Sequence, residues 1–185
     1  GEPTLLEIGD NNVIRENATI HRGTIQDNGI TKIGNGNLFM ASTHVGHDCI
    51  VGDNNILANY VALAGHVVIG DSIILGGYTG IHQFCQVASF SMCGMGSMVT
   101  KDIPNYVMVS GNPAKAHGMN FEGMRRRGMS KEVIKALRSA YKCIYLKGSK
   151  LEDAVKELEQ GLALEYAEVA MFLASIKRSK RGIIR

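Results

Sequence analysis

Tryptophan is absent, and all aromatic residues together make up only 6% of the 185 positions. That is too few large anchors for the core of a conventional layered domain. No apolar run approaches the roughly 18–20 residues that would span a bilayer, which excludes stable membrane insertion by a helix of this stretch. The four cysteines form no Cys-x-x-Cys pair, so the usual spacing for zinc or thiol redox chemistry is missing. Charge of one sign is also scarce: the formal net charge is +3, too little to imply a nucleic-acid partner. What basic charge there is comes late, at Arg125, Arg126, Arg127 and Lys131 and in a tail holding Lys177, Arg178, Lys180, Arg181 and Arg185.

Glycine, by contrast, is abundant at 22 residues, and the chain is periodic. Stepping by six from Ile33 gives Phe39, Val45, Val51, Leu57, Leu63, Ile69, Leu75, Ile81, Val87, Cys93 and Val99, all apolar. At the observed 45% hydrophobic content, chance produces such a run roughly once in ten thousand tries. The next residue is mostly glycine or alanine (Gly34, Gly46, Gly52, Ala58, Ala64, Gly70), and the fourth after the apolar one is small or β-branched (Thr43, Cys49, Val61, Val67, Thr79, Cys85).

A six-residue period suits neither an α-helix nor a long flat strand. It predicts a left-handed parallel β-helix over residues 1–112, with three hexads per triangular coil and the apolar residue pointing inward. The small residue after it is expected to relieve backbone strain at the corner. Cys49, Cys85 and Cys93 fall on inward positions, as small buried thiols in a reducing cytoplasm would.

The register already runs at Ile8, Ile14 and Ile20, then slips, so residues 21–32 are expected to leave the coil as a loop. With Gly1 rather than Met at the start and no capping element before Ile8, further coils are expected to precede this stretch. Breakers at Pro104 and Gly111-Asn112-Pro113 end the repeat. A C-terminal helical domain is predicted over 113–185, with helices from Ser130 to Gly148, Ser149 to Gln160 and Tyr166 to Arg178.

Histidine is concentrated where the coil runs: His21, His44, His47, His66 and His82. Neutral imidazole is the natural general base near neutral pH, and a carboxylate can orient it. His47 precedes Asp48, but adjacent strand residues point to opposite faces, so the sequence leaves open whether Asp48 is its partner. His47, Gly65 and Gln83 lie 18 apart and are predicted to stack in one column. There the Gly65 amide could serve as an oxyanion donor. No serine or cysteine nucleophile motif stands nearby, which favours direct attack by a substrate hydroxyl or amine. A polar interface between identical subunits is the competing reading of these histidines.

Several strings are more specific: Ile20-His21-Arg22-Gly23-Thr24, His44-x-x-His47-Asp48-Cys49, Leu63-Ala64-Gly65-His66-Val67, His82-Gln83-Phe84, and Asn120-Phe121-Glu122-Gly123 followed by Arg126-Arg127-Gly128. Through them essentially the whole chain resembles the UDP-N-acetylglucosamine acyltransferases of lipid A biosynthesis. The last string separates it from the sibling N-acyltransferases. The resemblance implies a cytoplasmic homotrimer with active sites between solenoids. It implies no cofactor beyond the phosphopantetheine of acyl carrier protein, which brings a 3-hydroxyacyl group to the glucosamine 3-hydroxyl.

By that resemblance His47 is the general base, Asp48 supports it and the Gly65 amide steadies the oxyanion. His44, His66, His82 and Gln83 line the substrate groove, and Asn120, Glu122, Arg126 and Arg127 contact the uridine diphosphate end. No metal is implied. Two departures stand out: the family chain begins about four coils earlier, on the solenoid arithmetic, and Met95 stands where members taking long acyl chains carry glycine. A medium-length acyl preference follows. The rivals are a gamma-type carbonic anhydrase, with zinc held by histidines on the same kind of solenoid, and a non-catalytic scaffold.

Overall fold

A computed structural model describes residues 1–185. The hexads wind into a triangular prism with three sheet faces. The first face stacks Leu5–Ile8, Ile30–Ile33, Ile50–Val51, Val68–Ile69 and Gln86–Val87. The second runs from Val13–Ile14 through Leu38–Phe39, Ile56–Leu57, Ile74–Leu75 and Met92–Cys93 to Val107–Ser110. The third holds Thr19–Ile20, His44–Val45, Ala62–Leu63, Gly80–Ile81 and Met98–Val99. In the regular coils neighbouring strands are parallel and pair 18 residues apart, as in Ile50 with Val68 and Ala62 with Gly80.

The predicted inward residues are the core. Every one from Ile33 to Val99 in the six-step series is at most 2% exposed. The fourth positions are buried with them: Thr43, Cys49, Val61, Val67, Thr79 and Cys85 all lie at 1% or less. The glycines after the inward residue have another reason than strain. At Gly52 a Cβ would stand 2.7 Å from the carbonyl oxygen of Gly70 in the next coil, a backbone atom that cannot move aside. The left-handed conformation falls two residues later, and mostly on non-glycine residues: Asp48 (φ 57°), Asn54 (57°), Tyr60 (61°), His66 (62°), Phe84 (64°) and Phe90 (65°). Side chains at these corners stack on their counterparts in the next coil, Tyr60 with Tyr78 at 4.8 Å and Phe90 with Tyr106 at 5.3 Å.

The corner between the first and second faces holds an asparagine ladder that the repeat did not reveal. Asn37 and Asn55 occupy the fourth position and are fully buried. Asn55 accepts from Ile73 N–H (2.8 Å) and donates to the Gly70 carbonyl (2.8 Å), while its own N–H donates to Asn37 Oδ1 (2.8 Å). Asn37 repeats the pattern one coil down with Asn12 and Gly52. Each amide supplies hydrogen bonds that the corner backbone cannot make to itself.

The ejected loop is shorter than the sequence reading made it. Ile8 pairs with Ile33 and Ile20 with Val45, an offset of 25. Against the regular 18 this is an insertion of seven (25 − 18), not a slip of one. The loop closes at residues 21–29, because Ile30–Ile33 is already a strand of the first face.

The helical part also begins later than residue 113. Lys115–Met119 runs antiparallel to Val107–Ser110 and extends the second face. Five helices follow: α1 (Phe121–Arg126), α2 (Lys131–Tyr145), α3 (Leu151–Glu159), α4 (Leu162–Glu165) and α5 (Ala167–Arg178). Ser130 caps α2, its hydroxyl accepting from Val133 N–H, and Leu137, Ala140 and Ile144 bury the predicted stripe. The short α1 and α4 escaped the sequence reading. Asp102 ties the helices to the last coil, accepting from Gln86 N–H (2.8 Å) and from the Ser179 hydroxyl (2.7 Å). No helix is long and apolar enough to cross a membrane.

Asn55→Ala should lower stability by about 3 kcal/mol, since it leaves the buried Ile73 N–H and the Gly70 carbonyl without partners. The denaturation midpoint measures this, and a loss under about 1 kcal/mol would mean the ladder is dispensable.

Candidate active site

The corner between the third and first faces carries the histidines. His66 N–H donates to the His47 carbonyl (3.0 Å) and Phe84 N–H to the Gly65 carbonyl (3.2 Å). His47, Gly65 and Gln83 therefore stack one above another, as the period predicts. The His47 side chain is 42% exposed, while that of Asp48 is 1% exposed.

The question of the His47 partner is resolved by the corner. Asp48 has φ 57°, which breaks the alternation of strand side chains and swings its carboxylate back beside the preceding ring. His47 Nδ1 and Asp48 Oδ2 are 2.8 Å apart. An ionised carboxylate only accepts, so Nδ1 carries the proton and Nε2 is left with a free lone pair. Asp48 also accepts from Thr24, by its N–H to Oδ1 (2.9 Å) and by its hydroxyl to Oδ2 (2.7 Å). Burial works against ionisation here. The hydrogen bonds from Thr24 and His47, with the nearby His66, outweigh it and hold the carboxyl below its ordinary 3.8.

Gly65 sits where any side chain would collide with the His47 ring. A Cβ there would stand 2.6 Å from His47 Cε1 and 2.7 Å from Nε2. Its N–H donates to no acceptor in the chain. Around this pair, His66 meets His47 edge-on at 5.0 Å, stacks on Phe84 at 4.4 Å and is tethered through Nδ1 to Asp27 Oδ2 at 2.7 Å. One coil face away, His44 Nδ1 lies 2.8 Å from the Thr19 hydroxyl. Burial, and then the charge of His21, push the His44 imidazole below its ordinary value. His82 Nδ1 approaches the Gln83 carbonyl at 3.1 Å.

Between His44, His82 and Met98 the third face is lined by Ala62, Ala64 and Gly80, whose small size leaves a shallow concavity of about 460 Å³. A second hollow, about 540 Å³, lies between the first face and α5 around Gln86, Ser175 and Arg178, away from every histidine.

The other predicted contacts are elsewhere. Asn120 is 5% exposed and occupied in capping α1: its Oδ1 accepts from Gly123 N–H (3.0 Å) and its Nδ2 donates to the Phe90 carbonyl (3.2 Å). Glu122 pairs on the surface with Arg125 (2.8 Å) and Arg126 (3.2 Å). Arg127 lies over the Phe90 ring and donates to the Ser72 carbonyl (3.1 Å). Phe90 and Ser72 place this group at the first–second corner. Met95, 79% exposed, is at the second–third corner. Within one chain these residues do not converge on His47.

Three residues near His47 were missed by sequence reasoning: Thr24, Asp27 and Thr31, the last accepting from Asp48 N–H at 2.8 Å. The signal was the insertion itself. Counted as seven residues rather than one, it emerges at the same corner one coil below His47.

One ligand atom each from His47, Asp48 and His66 lies within 4.8 Å of the others, so a cation could be accommodated. Against this, the Asp48 carboxylate already accepts three hydrogen bonds. The nearest cysteine is no nucleophile, since burial pushes the Cys49 thiol up to about 11.

The depressed Asp48 value has a sign. Its carboxylate contributes stability fully present above pH 3.8 and lost as pH falls through the folded value. Asp48→Asn should therefore lower the unfolding midpoint at neutral pH and converge on the wild type in acid. Equal deficits at both ends would show that the ionised form contributes nothing.

Comparison with known proteins gives the same picture from another direction. The family model described as UDP N-acetylglucosamine O-acyltransferase, domain 2, matches residues 102–184, and the bacterial transferase hexapeptide model matches residues 30–65. The acyl-[acyl-carrier-protein]--UDP-N-acetylglucosamine O-acyltransferase of Pseudomonas paraeruginosa is 56% identical over 185 residues, all of this chain and 71% of that protein. The structure of LpxA from Acinetobacter baumannii superposes with a TM-score of 0.97 at 54% identity, covering 100% of this chain and 72% of the other. The Arabidopsis UDP-N-acetylglucosamine acyltransferase gives 0.91 at 41% identity, covering 97% and 66%. Identity above one half along the whole chain, on the same solenoid and helical cap, makes this chain a member of the UDP-N-acetylglucosamine O-acyltransferase family.

Proposed function

We propose that the chain transfers a 3-hydroxyacyl group from acyl carrier protein to the glucosamine 3-hydroxyl of UDP-N-acetylglucosamine, the first step of lipid A biosynthesis, with His47 as general base. The acceptor and donor are those in the names of its relatives. The observation that carries the mechanism is the His47–Asp48 hydrogen bond, which fixes the tautomer whose Nε2 can take a proton.

In the proposed step, Nε2 of His47 removes the proton of the 3-hydroxyl as its oxygen attacks the thioester carbonyl. The negative charge that develops on the carbonyl oxygen is met by the Gly65 N–H, which has no other acceptor. Collapse breaks the carbon–sulfur bond, and the imidazolium returns the proton to the phosphopantetheine sulfur. Asp48 stabilises the imidazolium without itself becoming protonated. The thioester brings its own activation, so no resident cofactor and no metal enter the scheme. The zinc reading loses its ground with family membership.

His44, His66, His82 and Gln83 line the groove in this reading. The separation of Asn120, Glu122, Arg126, Arg127 and Met95 at other corners supports a homotrimer: parallel prisms around a threefold axis set different corners of neighbours side by side. Asn120 shapes that end of the site as a cap, while Glu122, Arg126 and Arg127 present polar groups to the uridine diphosphate. The basic residues of the helical region attract acidic acyl carrier protein, and the cytoplasm is the compartment where the two meet.

The test is mass spectrometry of products from a panel of 3-hydroxyacyl carrier proteins with UDP-N-acetylglucosamine or its 3-amino analogue. An O-acylated sugar nucleotide is expected, a chelator should leave the rate unchanged, and His47→Ala should cut kcat by about a thousandfold. Full activity of His47→Ala would remove the general base. Met95 should close the acyl groove early, so the wild type should prefer medium chains and Met95→Gly should shift the preference to longer ones. An unchanged chain-length profile would sink the ruler role.

A further inference from the structure

We infer that the loop at residues 21–29 belongs to the catalytic apparatus and that Thr24 is a positioning residue for the His47–Asp48 pair, an inference that rests on His47 being the base. The loop interrupts the solenoid at the corner beneath His47, and its neck is closed on the first strand. Gly23 N–H donates to the Leu5 carbonyl (2.9 Å) and Leu5 N–H to the Gly29 carbonyl (2.8 Å). Gly23 is buried against the backbone of Ile30, where no Cβ would fit. Thr24 is the residue after this neck, so its backbone is set before its side chain meets anything.

Both Asp48 oxygens are engaged by that one residue, Oδ1 by its N–H at 2.9 Å and Oδ2 by its hydroxyl at 2.7 Å. A carboxylate held only by His47 could rotate about its own bond. Two donors from a fixed backbone position determine its plane, and with it the direction in which Oδ2 faces Nδ1. Thr31 fixes the other end by accepting from Asp48 N–H at 2.8 Å. A second residue of the same loop, Asp27, holds His66 at 2.7 Å, and the His66 ring abuts His47 edge-on. The insertion thus touches the pair from one side and the neighbouring imidazole from the other. A loop that only covered the corner would need neither bond.

Thr24→Val keeps the β-branch and the N–H but removes the hydroxyl. In the intact enzyme it should lower kcat by about tenfold or more, with KM for UDP-N-acetylglucosamine within about twofold of wild type. Thr24→Ser should restore most of the rate. ¹⁵N spectra of the imidazole should change from one Nδ1–H tautomer at His47 to a mixture in Thr24→Val. Wild-type kcat and tautomer in Thr24→Val would overturn the inference, as would a loss of rate that serine does not restore. His47→Ala keeps the two claims apart: if it is inactive while Thr24→Val is normal, only the role of Thr24 fails, and if it is fully active the base itself is wrong.

Discussion

Each coil must lie on the one below it at the spacing of paired strands, about 4.8 Å, and the rest of the molecule is arranged around that contact. It leaves no room for a side chain after several of the inward residues, which is why Gly52 faces the Gly70 carbonyl at a distance a Cβ could not share. It makes the interior a narrow column of mostly aliphatic and small residues filled without tryptophan. It also forces each corner to turn within a few residues, through a left-handed conformation occupied by Asp48, His66 and Phe84 as well as by asparagine. A non-glycine residue in that conformation costs roughly 1–2 kcal/mol. Stacked rings and asparagine bridges across the coils offset the cost.

The site inherits its geometry from the same corner. His47 projects outward because it precedes the left-handed residue, and Asp48 reaches its ring because it is that residue. Gly65 admits the ring because the next coil would otherwise place a side chain on Nε2. An imidazole, a carboxylate and an unbonded N–H are brought together by the coil register and by the left-handed turn at Asp48. Burial of Asp48 opposes its ionisation, and the hydrogen bonds from Thr24 and His47 together outweigh that burial.

How much of this could be read in advance depends on what repeats. The inward column and the stacking of His47 with Gly65 and Gln83 follow from counting by six and by 18, and both are as the sequence predicts. The roles of Asp48 and Thr24 depend on a dihedral angle and an insertion length, which counting does not supply. Thirteen residues from Ile20 to Ile33 can be parsed as two hexads and one residue or as one hexad and seven; only strand pairing distinguishes them. Asn37 and Asn55 escaped because a buried amide is read as an exception until its partners in the next coil are known. Asn120, grouped by its string with surface residues, is engaged by the carbonyl of a corner 30 residues away.

A stacked corner also makes position along the prism discrete. Tyr60 and Tyr78, or His66 and Phe84, are neighbours at ring-stacking distance because they are one coil apart, and no substitution can place a side chain between two rungs. Asn59, Gly77 and Met95 form such a series at the second–third corner, and Tyr78 N–H bonds the Asn59 carbonyl just as Gly96 N–H bonds that of Gly77. A groove running along this axis is therefore graduated like a ruler with marks about 4.8 Å apart. On the proposed function, exchanging a glycine for a larger residue on one mark would shorten an acyl groove there by a whole coil, the length of several methylenes. Finer adjustment has to come from the shape of the residue placed there.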